Sequence, residues 1–304
     1  MGDQAIERKE LIEALVDALH SDDKHHAAYA AGRIRDLVIP SSPDARANQD
    51  AIGAQEGCLE GLVNLVTYGS DEGTFAACHA LAQLAWSNAR NSFRIPAIPS
   101  TLDALARAMR NEGGQEAVRE YACITVGNCG ANSVEGAKLI ARHERLMLAL
   151  TSAITLPSPP VAPGGAGPGS RMRETATLAL KNCAASSDEA AFIIAEQKGV
   201  LSALKVMAKD SNFPRLRNVA IGAMNTLSRS ARAIARLQEV WVEQEVPFPA
   251  AIQRPSSGVP QCAASATTSL LATSPPQGVL SQHHPNVSRR CRRRGWCRRC
   301  CSRH

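Results

Sequence analysis

The sequence has few aromatic residues and no long apolar run. Phe, Trp and Tyr make up 4% of the 304 residues, so a core built on large rings is not expected. No stretch reaches the roughly 18 apolar residues that a membrane-spanning helix needs. The start, MGDQAIERKE, also lacks the apolar segment of a signal peptide. We therefore expect a cytoplasmic protein, with the nucleus as the alternative.

Acidic residues are missing from the C-terminal part of the chain. The last of them is Glu245, and residues 246–304 contain none while carrying nine of the 34 Lys and Arg residues. Residues 1–245 hold 25 Lys and Arg against 28 Asp and Glu, a net charge of −3, so the tail alone makes the whole chain +6. The basic character therefore belongs to the tail, and the body is mildly acidic.

The common motifs of catalysis and nucleotide binding are absent too. The chain contains no GxxxxGK[ST], no GxSxG, no HExxH and no GxGxxG between a strand and a helix. His20, His25 and His26 lie close in sequence but without Cys or carboxylates at ligand spacing, so we interpret them as exposed loop residues. Cys297 and Cys300 lack a properly spaced second pair. We predict no enzyme, no cofactor and no metal site.

The body is rich in Ala and Leu, which favour helices and allow them to pack closely. Two sequence patterns recur along it. The first is an apolar triplet with a spacing of three, at Ile12, Leu59, Leu102, Met147 and Leu201. The second is a small residue followed by apolar positions, as in ACHALAQL and ACITVGNC; it begins at Ala30, Ala77, Ala122, Ala176 and Ala220. Both patterns have helical periodicity, and no segment alternates as a strand does.

The spacing of these patterns is nearly constant, with steps of 43 to 47 residues and one step of 54. The surplus falls where the chain reads LPSPPVAPGGAGPGS, so we predict a loop insertion at 156–170. The pattern divides residues 1–245 into units at about 6–53, 54–97, 98–143, 144–198 and 199–241. The body cysteines fall on the apolar faces of these helices and are predicted to be buried free thiols: Cys58, Cys78, Cys123, Cys129 and Cys183.

A period of this length with paired or triple amphipathic helices is typical of helical solenoids. The segments GCLEGLVNLV…GTFAACHALAQLAWSNARNSFRI and GVLSALKVMA…RLRNVAIGAMNTL resemble armadillo repeat units, and the resemblance covers roughly residues 6–240. It implies an all-α, right-handed superhelical solenoid of about five armadillo or HEAT-like repeats, whose groove holds an extended peptide or a partner protein.

In armadillo proteins, a ladder of Asn side chains lines that groove and binds the peptide backbone. The matching positions are Asp36, Gln83, Asn128, Asn182 and Thr226. The resemblance thus implies peptide-groove residues Gln83, Asn128 and Asn182, and Trp86 is a further candidate that could stack on a ligand. A primary amide suits this role because it offers both a donor and an acceptor.

The sequence excludes few classes of peptide or protein partner. Importin-like relatives carry a Trp at positions that here hold His79, Ile124, Leu178 and Gly222, so a classical nuclear import signal is not the expected ligand. The negative net charge of the body also gives no indication of a basic groove for acidic ligands. Regulation of a chaperone or GTPase by nucleotide exchange stays open as an alternative.

The tail forms a second region, 246–304, which is rich in Pro, Ser and Ala and then in Arg and Cys. Its composition predicts disorder because it offers little apolar surface to bury. The basic cluster could bind phosphate, so nucleic acid is a possible partner through the tail only. It comprises Arg289, Arg290, Arg292, Arg293, Arg294, Arg298 and Arg299.

Overall fold

The computed structural model describes residues 2–42, 44–110, 114–155, 170–210 and 212–242. Two predictions fall outside these ranges. They are the loop insertion, apart from Ser170 at the start of a helix, and the tail 246–304 with its arginine cluster.

Within the described residues the secondary structure is entirely helical. The helices are α1 Gly2–Leu19, α2 Lys24–Val38, α3 Ala45–Ala54, α4 Cys58–Tyr68, α5 Asp71–Ala85, α6 Ala89–Ala97, α7 Thr101–Arg110, α8 Glu116–Asn132, α9 Val134–Arg142, α10 Glu144–Thr155, α11 Ser170–Ser186, α12 Asp188–Glu196, α13 Val200–Lys209, α14 Pro214–Leu227 and α15 Ala231–Val242. Each unit predicted from the sequence spans three of them. None of the described helices is long and apolar enough to cross a membrane.

The helices stack in three rows, because every third helix packs on its equivalent in the next unit. The first row contains α1, α4, α7, α10 and α13. The second row contains α2, α5, α8, α11 and α14, and the third contains α3, α6, α9, α12 and α15. The most extensive contacts join neighbours in the second row, above all α8 and α11. An all-helical solenoid, as the sequence predicts, is therefore confirmed.

The second row packs tightly because its helices face each other through small residues. The alanines that begin the second sequence pattern are all fully buried, at 0% exposure: Ala30, Ala77, Ala122, Ala176 and Ala220. Larger side chains there would push neighbouring helices apart. The five body cysteines are buried and free, as predicted. Burial raises the pKa of the Cys58 thiol to about 12, so it is protonated at neutral pH.

Polar caps fix the turn from the three central second-row helices, α5, α8 and α11, into the third row. Asn88, Ser133 and Ser187 occupy equivalent extended positions, and the side chain of each accepts a hydrogen bond from a backbone N–H of the first turn. Such caps typically stabilise a helix by about 1 kcal/mol. They hold the ends of these three helices at the same place relative to their units, and so keep the middle of the row in register.

Candidate functional site

The second row carries the ladder positions, and its two asparagines make the same hydrogen bond. Asn128 Nδ2 donates to the backbone oxygen of Ala82 at 2.9 Å, and Asn182 Nδ2 donates to that of Gly127 at 3.2 Å. Each acceptor belongs to the residue just before the ladder position of the preceding second-row helix. The amide N–H groups therefore tie adjacent helices together.

These bonds leave the amide oxygens of both asparagines available. Among the described residues, no donor reaches Asn128 Oδ1 or Asn182 Oδ1. Asn128 is 5% exposed and Asn182 is half-buried, so the two oxygens are offered from a rigid, packed surface. A carbonyl oxygen of this kind accepts hydrogen bonds from backbone N–H groups. The arrangement suits a ligand that presents N–H donors along the row.

Gln83 and Trp86 lie in different surroundings. Gln83 is 2% exposed, and its Nε2 lies 3.2 Å from His79 Nε2, so it contacts its own helix rather than solvent. Its Oε1 is buried and has no hydrogen-bond partner within the described residues. Trp86 is half-buried at the end of α5, where its backbone N–H donates to Gln83 O at 3.1 Å. A ligand would reach Gln83 only after that side chain moves.

The remaining ladder positions are not amides. Asp36 accepts two hydrogen bonds from Arg35, at 2.9 Å from Nε and 2.7 Å from Nη2, which neutralises the carboxylate. Thr226 is 6% exposed and donates its hydroxyl to the backbone oxygen of Gly222 at 2.9 Å. Only the middle of the row therefore presents the amides implied by the resemblance.

An aromatic cluster that the sequence analysis did not identify lies between α5 and α8. The rings of His79 and Tyr121 stack with centroids 3.9 Å apart, and Phe75 meets Tyr121 edge-on at 5.6 Å. Burial lowers the pKa of His79 to about 4, and the nearby Arg35 lowers it further while Asp36 acts in the opposite direction. His79 is therefore neutral at physiological pH, and the cluster is an apolar part of the row.

The positions one turn before the ladder form a line along the second row: Gly32, His79, Ile124, Leu178 and Gly222. The middle of this line is bulky, and both ends are open. A Cβ built on Gly32 would meet nothing within 4 Å, and one on Gly222 would meet only the side chain of Lys181, at 3.7 to 3.9 Å. The glycines thus leave a notch at each end of the line, and the side chain of Lys181 lies along the Gly222 notch.

Ion pairs cross the second row in a repeated register. Arg171 on α11 pairs with Glu120 on α8 at 2.9 Å, and Arg215 on α14 pairs with Glu174 on α11 at 3.0 Å. Burial raises the pKa of Glu120, and Arg171 partly offsets this effect. The two pairs resemble the asparagine bonds in linking each helix to the one before it.

The charge of the second row differs from that of the body as a whole. Its five helices contain nine Lys and Arg residues and six Asp and Glu residues, a net charge of +3. The net charge of −3 therefore does not hold for this row, because many acidic residues lie on other elements, such as α1 and α12. No group of three or more possible metal ligands occurs among the described residues.

Comparisons with known proteins identify the fold. No protein-family model matches the chain, and no curated protein matches it significantly. Solved structures do match. A designed armadillo repeat protein is 21% identical, with a TM-score of 0.59 over 79% of this chain and 94% of that chain. A second design, in complex with the peptide (KR)4, is 19% identical, with a TM-score of 0.60 over 76% and 87%.

A natural protein shows the same likeness. The armadillo-repeats-only protein of Plasmodium falciparum is 16% identical, with a TM-score of 0.57 over 74% of this chain and 95% of that chain. At these identities the likeness concerns the fold alone. The chain has an armadillo-like fold.

Proposed function

We propose that the protein is a non-enzymatic binding scaffold that holds an extended peptide, or an extended segment of a partner protein, along the second row. The observation that carries this proposal is the pair of equivalent asparagines, Asn128 and Asn182. Their N–H groups are used within the fold, and their oxygens are left as acceptors in a fixed register. Similar structures support the same function: one design is in complex with the peptide (KR)4, and others were designed for modular peptide recognition.

The spacing of the row agrees with an extended ligand. Packed helices lie about 8–10 Å apart, and an extended chain advances about 3.3 Å per residue. Successive ladder positions are therefore separated by roughly two to three residues of such a chain. A peptide crossing the helices could present a backbone N–H to Asn128 Oδ1 and another to Asn182 Oδ1. The apolar cluster at His79 and Tyr121 would lie beside a side chain of the same peptide.

The test must separate binding from stability, because both asparagines also tie helices together. Asn132 provides the control: its Nδ2 donates to Ala85 O at 3.2 Å and to Asn128 O at 2.9 Å, one turn beyond the ladder. Asn132→Ala therefore removes comparable bonds to backbone oxygens and leaves the ladder side chains in place. Urea titrations of Asn128→Ala, Asn182→Ala and Asn132→Ala should show comparable losses, about 1–2 kcal/mol each.

Binding is measured with peptides selected from a random display library on the full chain. Asn182→Ala should weaken the selected peptides by about tenfold, since a lost hydrogen bond in a packed site costs 1–2 kcal/mol. Asn132→Ala should leave their affinity nearly unchanged. Selection of no peptide at all, or equal affinity for wild type and both ladder variants, would refute the proposal.

A further inference from the structure

Lys181 stands next to the ladder on α11 and reaches across to α14. A Cβ built on Gly222 would lie 3.7 Å from Lys181 Cε and 3.8 Å from its Nζ, so the ammonium group extends over the Gly222 notch. Lys181 is half-buried, and it makes no ion pair with any described residue. Its cationic group is therefore held on the second-row surface without a counter-charge.

The equivalent cation at the other end of the row is paired with a carboxylate. Arg35 occupies the same position on α2, and two hydrogen bonds join it to Asp36 at the adjacent ladder position. On α11 that adjacent position is Asn182, which brings no charge. Arg35 is thus paired with a carboxylate of its own helix, whereas Lys181 has no such neighbour.

The helices that carry Lys181 and Gly222 hold little negative charge. Glu174 is the one acidic residue of α11 and α14. Glu174 is itself paired with Arg215 at 3.0 Å. A carboxylate arriving at Lys181 would consequently meet no unpaired acid on these two helices.

We propose that Lys181 and the Gly222 notch form a carboxylate subsite, so that the ligand of this end of the row is an acidic extended peptide. An Asp or Glu side chain of the peptide enters the notch and pairs with Lys181 Nζ. A neighbouring backbone N–H donates to Asn182 Oδ1. This inference rests on the proposed function and adds to it the charge of the ligand.

A peptide fits this surface better than a nucleic acid does. Neither α11 nor α14 contains an aromatic residue, whereas sequence-tolerant binding of single strands depends on base stacking against rings. The notch also offers one cation beside an amide, which matches a side-chain carboxylate and the adjacent peptide backbone.

The experiment measures fluorescence anisotropy of three labelled peptides with the full chain. The peptides have about ten residues, enough to cross about three helices, and consist of Ser-Glu, Ser-Gln or Ser-Lys repeats. The Ser-Glu peptide should bind most tightly. Since an exposed ion pair contributes up to about 1 kcal/mol, Lys181→Gln should weaken it about threefold and Lys181→Glu about tenfold. Gly222→Leu, which fills the notch, should weaken it as well.

Lys198→Glu is the matched control. Lys198 is exposed between α12 and α13, away from the second row, and its replacement by Glu changes the net charge by the same amount as Lys181→Glu. It should leave the affinity within about twofold of wild type. The arginine-rich tail is identical in all variants, so binding to the tail would not change between them. The inference is overturned if the affinity for the Ser-Glu peptide is unchanged in Lys181→Glu, or if Lys198→Glu lowers it equally. Oligothymidylate that competes equally and shows the same Lys181 dependence overturns it in favour of a nucleic-acid site.

Failure of the inference is distinguishable from failure of the proposed function. If library-selected peptides depend on Asn182 but show no preference for acidic residues, the subsite is wrong and the scaffold stands. If no peptide depends on Asn182 or Lys181, both are wrong. Urea midpoints of the Lys181, Gly222 and Lys198 variants close to that of wild type show that their changes in affinity do not arise from unfolding.

Discussion

Replacing Gly130 by Ala tests a close contact in the second row, the approach of α8 to α11. A Cβ on Gly130 would lie 2.3 Å from Cys183 Sγ and 3.2 Å from the Cα and backbone N of Cys183. The sulfur contact could be relieved by moving one side chain. The backbone contacts cannot, so the two helices must separate locally.

The expected cost follows from two opposing effects. Inserting a methyl group into a packed core typically costs about 1–3 kcal/mol. Ala in place of Gly inside a helix recovers up to about 1 kcal/mol of backbone entropy. Gly130→Ala should thus lower the free energy of unfolding by about 1–2 kcal/mol. Gly32→Ala is the control, because a Cβ there meets nothing within 4 Å, and it should raise stability by about 0.5–1 kcal/mol.

The assay is urea unfolding of the full chain followed by helical circular dichroism. The two variants should shift the midpoint in opposite directions. A cycle with Cys183→Ala removes the sulfur but leaves the backbone contacts at 3.2 Å, so the double variant should recover only part of the loss. If Gly130→Ala is as stable as Gly32→Ala, α8 and α11 do not approach as closely as described.

Two further predictions concern ionisable groups of the second row. Because burial lowers the pKa of His79 from 6.5 to about 4, the unfolded chain takes up this proton at higher pH than the folded chain does. The free energy of unfolding should therefore fall as pH drops from about 6.5 to 4, by up to about 3 kcal/mol, and His79→Phe should remove that part of the pH dependence in urea titrations. An unchanged pH dependence would show that His79 is not shielded. Arg171→Met leaves the half-buried Glu120 without its paired cation and should lower the free energy of unfolding by about 1 kcal/mol at neutral pH. Adding Glu120→Gln should restore most of this loss. If the double variant is no more stable than Arg171→Met, the loss does not arise from this ion pair.

The sequence predicts the helical repeat well because the features that define it are local and repeated. The five alanines that begin the second pattern are recognisable by spacing alone, and all of them are fully buried. The ladder positions follow from the same register. Their spacing does not indicate the hydrogen-bond partners of the amides. Asn182 donates to a carbonyl oxygen 55 residues away in the sequence, and only the stacking of the helices brings the two groups together.

The features missed by the sequence analysis depend on contacts between units. The stack of His79 on Tyr121 joins residues of different helices at non-equivalent positions, so no periodic pattern predicts it. The charge of the second row differs from that of the body for a related reason. A net charge is a sum over all surfaces, whereas the helix rows divide that sum unequally between faces.

The asparagine bonds have a consequence for how this architecture tolerates change. The donor and acceptor are 46 residues apart at Asn128 and 55 residues apart at Asn182, yet both pairs meet in the same way. The pitch of the stack is thus independent of the length of the covalent link between α10 and α11. This link is a natural place to insert a foreign sequence, with the ladder preserved on either side.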